Sequence, residues 1–163
     1  MEQTSYAKII SMLLTPVFIA QALVGFLPAS VMMCVDAPLL ARLAYPFFHT
    51  GIVHELLNAW CFLSIAFILP TSLWKLAAAY IIAISVPDLC LPASPVVGLS
   101  GFCYALLGLF TCEVRSKWLW AGQIWFSILL GIILPNVAVG VHAYCFAAGT
   151  LLSALNHPFI KVK

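Results

Sequence analysis

Of 163 residues, 64% are hydrophobic and 7% are charged, against roughly 25% charged in soluble domains, so a water-soluble globular domain is excluded and an integral membrane protein is expected. A net charge of +2 with no basic patch gives no footing for nucleic acid. Because a helical crossing takes about 20 apolar residues, the chain has room for about six short spans in a single membrane domain, 1–163, and little else.

Apolar runs separated by Pro, Gly or charged residues predict helices at about 9–27, 44–69, 73–86, 100–114, 118–134 and 141–155. The first run has Lys8 before it and Pro28-Ala29-Ser30 after it, which are the flanks of a signal peptide. Its apolar stretch exceeds the roughly 7–15 residues of such a core, so it reads as a retained span. Long apolar runs without alternation exclude a β-barrel. Short connections imply an all-α, compact six-helix bundle with a short central fourth helix.

Lys and Arg collect on the cytoplasmic side. With the N-terminus inside, Lys8, Lys75, Arg115, Lys117, Lys161 and Lys163 are cytoplasmic and only Arg42 is external. Spans two, four and six then enter from the outside, and their first turns carry the polar groups: His49, His54 and Asn58, then Ser100, then His142. Polar residues inside a membrane are costly enough to rank as functional by default. Helix-to-helix hydrogen bonding explains any one of them better than it explains the set.

Spacing assigns the parts. His54 and Asn58, four apart, share a helical face, whereas His49 on a continuous second span lies about 140° round the axis and takes a different task. Ser100 and Tyr104 share a face, and Gly101, Ala105 and Gly108 form a stripe of small residues. Cys145, Gly149 and Ser153 make a matching ladder on the last span, and packing the two ladders together brings His142 against Ser100. Spans four and six are short, at roughly 13–15 residues. The segment Pro87–Pro95 is therefore expected to dip into the protein and start the fourth helix within a wet cavity.

The chemistry this suggests is acyl transfer. Ser100 is the nucleophile and His142 its base, since an unperturbed imidazole has a pKa of about 6.5. His54, Asn58 and the N–H groups of Leu99 and Ser100 form an oxyanion hole, Gly98 allows close backbone approach, and Tyr104 orients the imidazole. None of Glu2, Asp36, Glu55, Asp88 and Glu113 falls beside His142, which leaves a dyad. Glu55 is expected to face the wet cavity or another polar group, with a proton role ranked second. No Cys/His spacing suggests a metal. A bridge between Cys34 and Cys90 stays open, Trp118, Trp120 and Trp125 read as interface anchors, and Pro135–Gly140 as a movable cap.

Three segments resemble the rhomboid intramembrane serine proteases: GLSGFCYALLG at Gly98–Gly108, HTGIVHELLN at His49–Asn58, and HAYCFAAG at His142–Gly149. The resemblance extends over all six spans in order. It implies Ser100 as nucleophile, His142 as base with Tyr104 packed on it, and His54 and Asn58 lining the oxyanion hole, with His49 buttressing the loop before Ser100. Substrates would be single transmembrane helices cut near their outer end, with no metal or organic cofactor. The chain departs from the family in a short first loop, Pro28–Ala44, which contains Arg42 but no tryptophan, and in Cys145, where glycine is frequent. The family also holds catalytically silent members that bind transmembrane helices. These typically lack the serine or histidine retained here. A transporter would show two related halves with paired broken helices, and no such symmetry is visible. The minimal form fits a bacterial inner membrane with both termini cytoplasmic and the site facing outward. The natural substrate and oligomeric state are not readable.

Overall fold

The computed structural model describes residues 2–25, 27–134 and 137–156. Among these residues the elements are all helical: α1 Glu2–Val24, α2 Leu39–Ala44, α3 Ile52–Ile68, α4 Leu73–Ile84, α5 Ser100–Leu109, α6 Lys117–Leu130 and α7 Val139–Asn156. Short 3-10 turns at Ala29–Val31, Tyr45–Phe47, Asp88–Cys90 and Gly131–Ile133 join them.

Helix α1 begins earlier than the hydropathy of 9–27 suggests and runs through Pro16. Ser11 and Thr15 hydroxyls donate back to the Ala7 and Ser11 carbonyls, each at 2.9 Å, and Gly25, at φ +67, ends it in the left-handed conformation. The larger departure is the second run, 44–69, which is not one helix. Leu39–Phe47 and Ile52–Ile68 meet at 82°, because Phe48 and Gly51 are extended and Pro46 has no N–H with which to continue a helix. His49 therefore lies in the bend, not on the helix, and the 140° wheel angle expected for it does not apply. Helix α5 is shorter than 100–114, while α7, 18 residues long, exceeds 141–155. Of the expected cap over Pro135–Gly140, Pro135 and Asn136 lie outside the described residues, as do Lys161 and Lys163.

Among the described residues, α1 from Tyr6 and α7 are long and apolar enough to cross a membrane, and the bent α2 and α3 pair is a third if counted as one span. Helices α4, α5 and α6 are apolar but shorter, so length alone does not give six crossings. Helix α5 can be short because it is enclosed by protein. It buries seven of its ten residues, with α3, α4 and α7 packed round it and α1 outside against α3 and α4.

Lipid tails are as apolar as leucine, so helices in a bilayer associate through close packing and hydrogen bonds rather than the hydrophobic effect. The seam between α5 and α7 is built that way. A Cβ on Gly108 would run into the Phe146 carbonyl oxygen and come within 2.8 Å of the Thr150 nitrogen. One on Gly149 would strike the Ala105 carbonyl oxygen and approach the Leu109 nitrogen to 3.1 Å. Cys145, the departure from glycine, is fully buried in this seam. At its far end Thr111 and Thr150 hydroxyls lie 3.2 Å apart, and the Cys112 N–H donates to Ser153 at 3.3 Å.

Two groups near the helix ends make contacts within the protein that the sequence does not reveal. Lys75 is buried, its Nζ 2.7 Å from Glu113 and 3.9 Å from the centre of the Phe110 ring, so it ties the start of α4 to the segment after α5. Of the three tryptophans on α6, Trp118 is the most outward, 84% exposed. Trp120 donates to the Leu107 carbonyl at 3.1 Å, and Trp125 meets Phe146 edge-on at 5.6 Å.

Candidate active site

The loop that leads into α5 is held by the segment before α3. Met33 and Val96 form an isolated antiparallel bridge, with N–H to O distances of 2.9 and 2.8 Å. Arg42 donates to the Val86 carbonyl at 2.7 Å and pairs with Asp88. The Gly98 N–H donates to the Tyr45 carbonyl at 3.0 Å, and the Tyr45 hydroxyl to the Ala83 carbonyl at 2.8 Å. Pro87–Pro95 is thus strapped to the first loop before α5 begins. Arg42, read from sequence only as the external charge, is one of the straps.

Ser100 opens α5. The first intrahelical bond runs from the Cys103 N–H to the Leu99 carbonyl, so the Ser100 N–H has no intrahelical acceptor. Its Oγ lies 2.8 Å from His142 Nε2, across the α5 and α7 seam. The Tyr104 ring stacks on the imidazole with centroids 4.4 Å apart and 25° between planes. The Tyr104 hydroxyl lies 3.3 Å from the Ser127 hydroxyl of α6, which in turn donates to the Ile124 carbonyl at 2.7 Å. His142 Nδ1 is buried with no hydrogen-bond partner, so a serine and a stacked imidazole stand together with no carboxylate behind them.

His54 and Asn58 face the same point. Gly98 has φ +125, a backbone state that favours glycine, and its missing side chain leaves a gap. A Cβ there would lie 2.8 Å from His54 Cε1, 3.0 Å from His54 Nε2 and 3.6 Å from Asn58 Nδ2. The Asn58 amide nitrogen is buried without a partner, a donor held ready. Thr50 Oγ1 lies 3.2 Å from His54 Nδ1; when the hydroxyl donates there, the Nε2 proton is free to face the gap.

Leu99 does not fit the role first given to it. Its N–H donates to His49 Nε2 at 3.1 Å and so is already committed, whereas the oxyanion reading needed it free. His49 is buried in the bend, its backbone N–H donating to Gln21 Oε1 at 2.9 Å and its ring beside those of Phe18 and His54. Gln21, Phe18, Thr50 and Ser127 were not singled out from sequence. Thr50 alone carried a signal, four residues before His54. All six cysteines are free thiols, Cys34 and Cys90 included. Among the described residues no group of three His, Cys, Asp or Glu side chains is arranged to hold a metal ion.

The model of the Rhomboid domain family matches residues 39–157. This chain belongs to the rhomboid family. No curated protein matches it. The matched segment takes in α2 through α7 and every rhomboid site residue discussed here, while Phe18 and Gln21, which hold His49, come from α1 outside it. Family and apolar helices together point to an integral membrane protein.

Proposed function

We propose that this rhomboid protein is an intramembrane serine endopeptidase acting through a dyad of Ser100 and His142. The observation that carries the reading is the 2.8 Å contact between Ser100 Oγ and His142 Nε2 under the stacked ring of Tyr104. That distance lies within the reach a general base needs. His142 Nε2 takes the hydroxyl proton as Oγ bonds to the scissile carbonyl carbon. It then returns the proton to the leaving amine as the C–N bond breaks, giving an acyl-enzyme that water hydrolyses by the same exchange. His54, Asn58 and the Ser100 N–H stabilise the oxyanion, an interaction worth about 3–4 kcal/mol per donor in other serine hydrolases. Leu99 is left out of that set.

In this reading the chain makes six crossings with both ends cytoplasmic, α5 starting below the outer surface. The location would be a bacterial inner membrane and the partners single-span transmembrane proteins, unwound and cut near their outer end. A serine-directed fluorophosphonate should label the wild type and not Ser100→Ala, and cleavage of a model transmembrane substrate should be lost in both Ser100→Ala and His142→Ala. Equal labelling of wild type and Ser100→Ala would overturn the protease reading. Capture of a transmembrane helix without cleavage would then favour a silent, helix-binding rhomboid.

A further inference from the structure

Glu55 takes no part in the dyad or the oxyanion hole, yet it is fully buried, where an uncompensated carboxylate is costly. Its Oε2 lies 2.6 Å from His49 Nδ1, and both side chains are 0% exposed. The contact is not aligned as a hydrogen bond, and Glu55 Oε1 has no hydrogen-bond partner. The two groups are thus in close polar contact, Glu55 presenting an acceptor oxygen to Nδ1. On the other edge of the same ring, His49 Nε2 accepts the Leu99 N–H at 3.1 Å. A ring nitrogen that accepts carries no proton, so the single proton of this neutral imidazole sits on Nδ1, the side facing Glu55. Were it on Nε2, two N–H groups would confront each other at Leu99, one residue before Ser100.

The remaining contacts of His49 do not choose between these tautomers. Gln21 accepts its backbone N–H, while Phe18 and His54 meet the ring with theirs at 6.1 and 5.2 Å. Among the described residues, Glu55 is the one seen to put an acceptor beside Nδ1. We infer that Glu55 is a positioning residue for the nucleophile: it keeps the His49 proton on Nδ1, which frees Nε2 to hold Leu99 and thereby places Ser100. This rests on the reading of Ser100 as nucleophile. It also accounts for a carboxylate at this depth, where the first expectation was a polar neighbour or the wet cavity.

The test is fluorophosphonate labelling of the full chain in detergent, with the limiting rate and half-saturating concentration measured separately, for wild type, Glu55→Met and Glu55→Gln. Methionine keeps the bulk and removes the acceptor. We expect its limiting rate to fall by about tenfold or more, the scale of a misplaced reacting group, with the half-saturating concentration unmoved. Some loss of thermal stability is expected, since the buried His49 N–H is left without an acceptor, so rates are compared at a temperature where every variant stays folded. Glutamine keeps an acceptor oxygen and should recover a large part of the lost rate. A wild-type limiting rate in Glu55→Met would overturn the inference, as would a loss that follows the melting temperature and that glutamine does not repair. If Glu55→Met does not fold, histidine ¹⁵N shifts of the wild type, Glu55→Gln and Glu55→Leu decide, the His49 signal being the one missing in His49→Gln. Protonated Nε2 in the wild type overturns the inference, while protonated Nδ1 in the wild type and in Glu55→Gln, mixed with Nε2 in Glu55→Leu, supports it. Wild type labelled no more than Ser100→Ala would instead defeat the protease reading, and the tautomer measurement would still test the role of Glu55.

Discussion

Helices α5 and α6 differ sharply in how they are held. Helix α5 buries seven of ten residues and meets α7 backbone to backbone at Gly108 and Gly149, whereas α6 buries only Ile128 of its fourteen. It touches its neighbours through a few side-chain tips, Trp120, Trp125 and Ser127. The dyad spans the tight pair. A proton transfer across 2.8 Å tolerates little drift, and a glycine seam that leaves no room for a methyl group is a stiff way to fix it. The loose helix contributes only a hydroxyl behind Tyr104.

The seam is where the largest effect should appear. Gly149→Val would push a branched side chain into the Ala105 carbonyl and the Leu109 nitrogen. Overpacking of this kind costs about 1–3 kcal/mol or more, and the separation it forces should lower fluorophosphonate labelling by about a hundredfold. Labelling kinetics and a thermal melt read both; a variant that labelled at the wild-type rate would mean the dyad does not depend on the seam. Gly98→Ala comes next. The backbone at φ +125 strains any side chain, at about 1–3 kcal/mol, and the new methyl would sit 2.8 Å from His54 Cε1. Substrate turnover should fall by about ten- to a hundredfold as the oxyanion donors move. Tyr104 gives a smaller, graded test. Phenylalanine keeps the stack on His142 and loses only the contact to Ser127, so Tyr104→Phe should label within about threefold of wild type, while Tyr104→Leu forfeits a stack worth about 0.5–1.5 kcal/mol and falls by up to about tenfold. Equal rates for the two would show that the hydroxyl, not the ring face, orients the base.

The tight side was readable in the sequence because its signals are periodic. Ser100 with Tyr104, and the small ladders Gly101, Ala105, Gly108 and Cys145, Gly149, Ser153, repeat at helical spacing, and helical spacing fixes which residues share a face. What stayed hidden depends on partners far away in the chain. The bend at His49 lies inside an apolar run that hydropathy reads as continuous. The engagement of Leu99 comes from a ring 50 residues earlier, and the burial of Lys75 depends on Glu113, 38 residues later. Hydropathy also registers apolar length whether the neighbour is lipid or protein, so the run 100–114 reads longer than α5. For α5 the neighbour is protein.

The smallest effects belong to the outward face of α6. Phe126 and Trp118 are 68% and 84% exposed, so truncating either removes contacts with surrounding solvent or lipid and none with the dyad. Each substitution to alanine should change stability by no more than about 0.5 kcal/mol and leave fluorophosphonate labelling unchanged. Ser127→Ala refines the boundary, since the Ser127 hydroxyl lies 3.3 Å from that of Tyr104. Its loss deletes a single hydroxyl contact at the edge of the site, and labelling should slow by about twofold, within the range of one ordinary hydrogen bond. If Phe126→Ala slowed labelling more than Ser127→Ala did, the dyad would have to sense α6 through the packing of the whole helix. The contrast between a stiff pair and a loosely held neighbour would then be wrong.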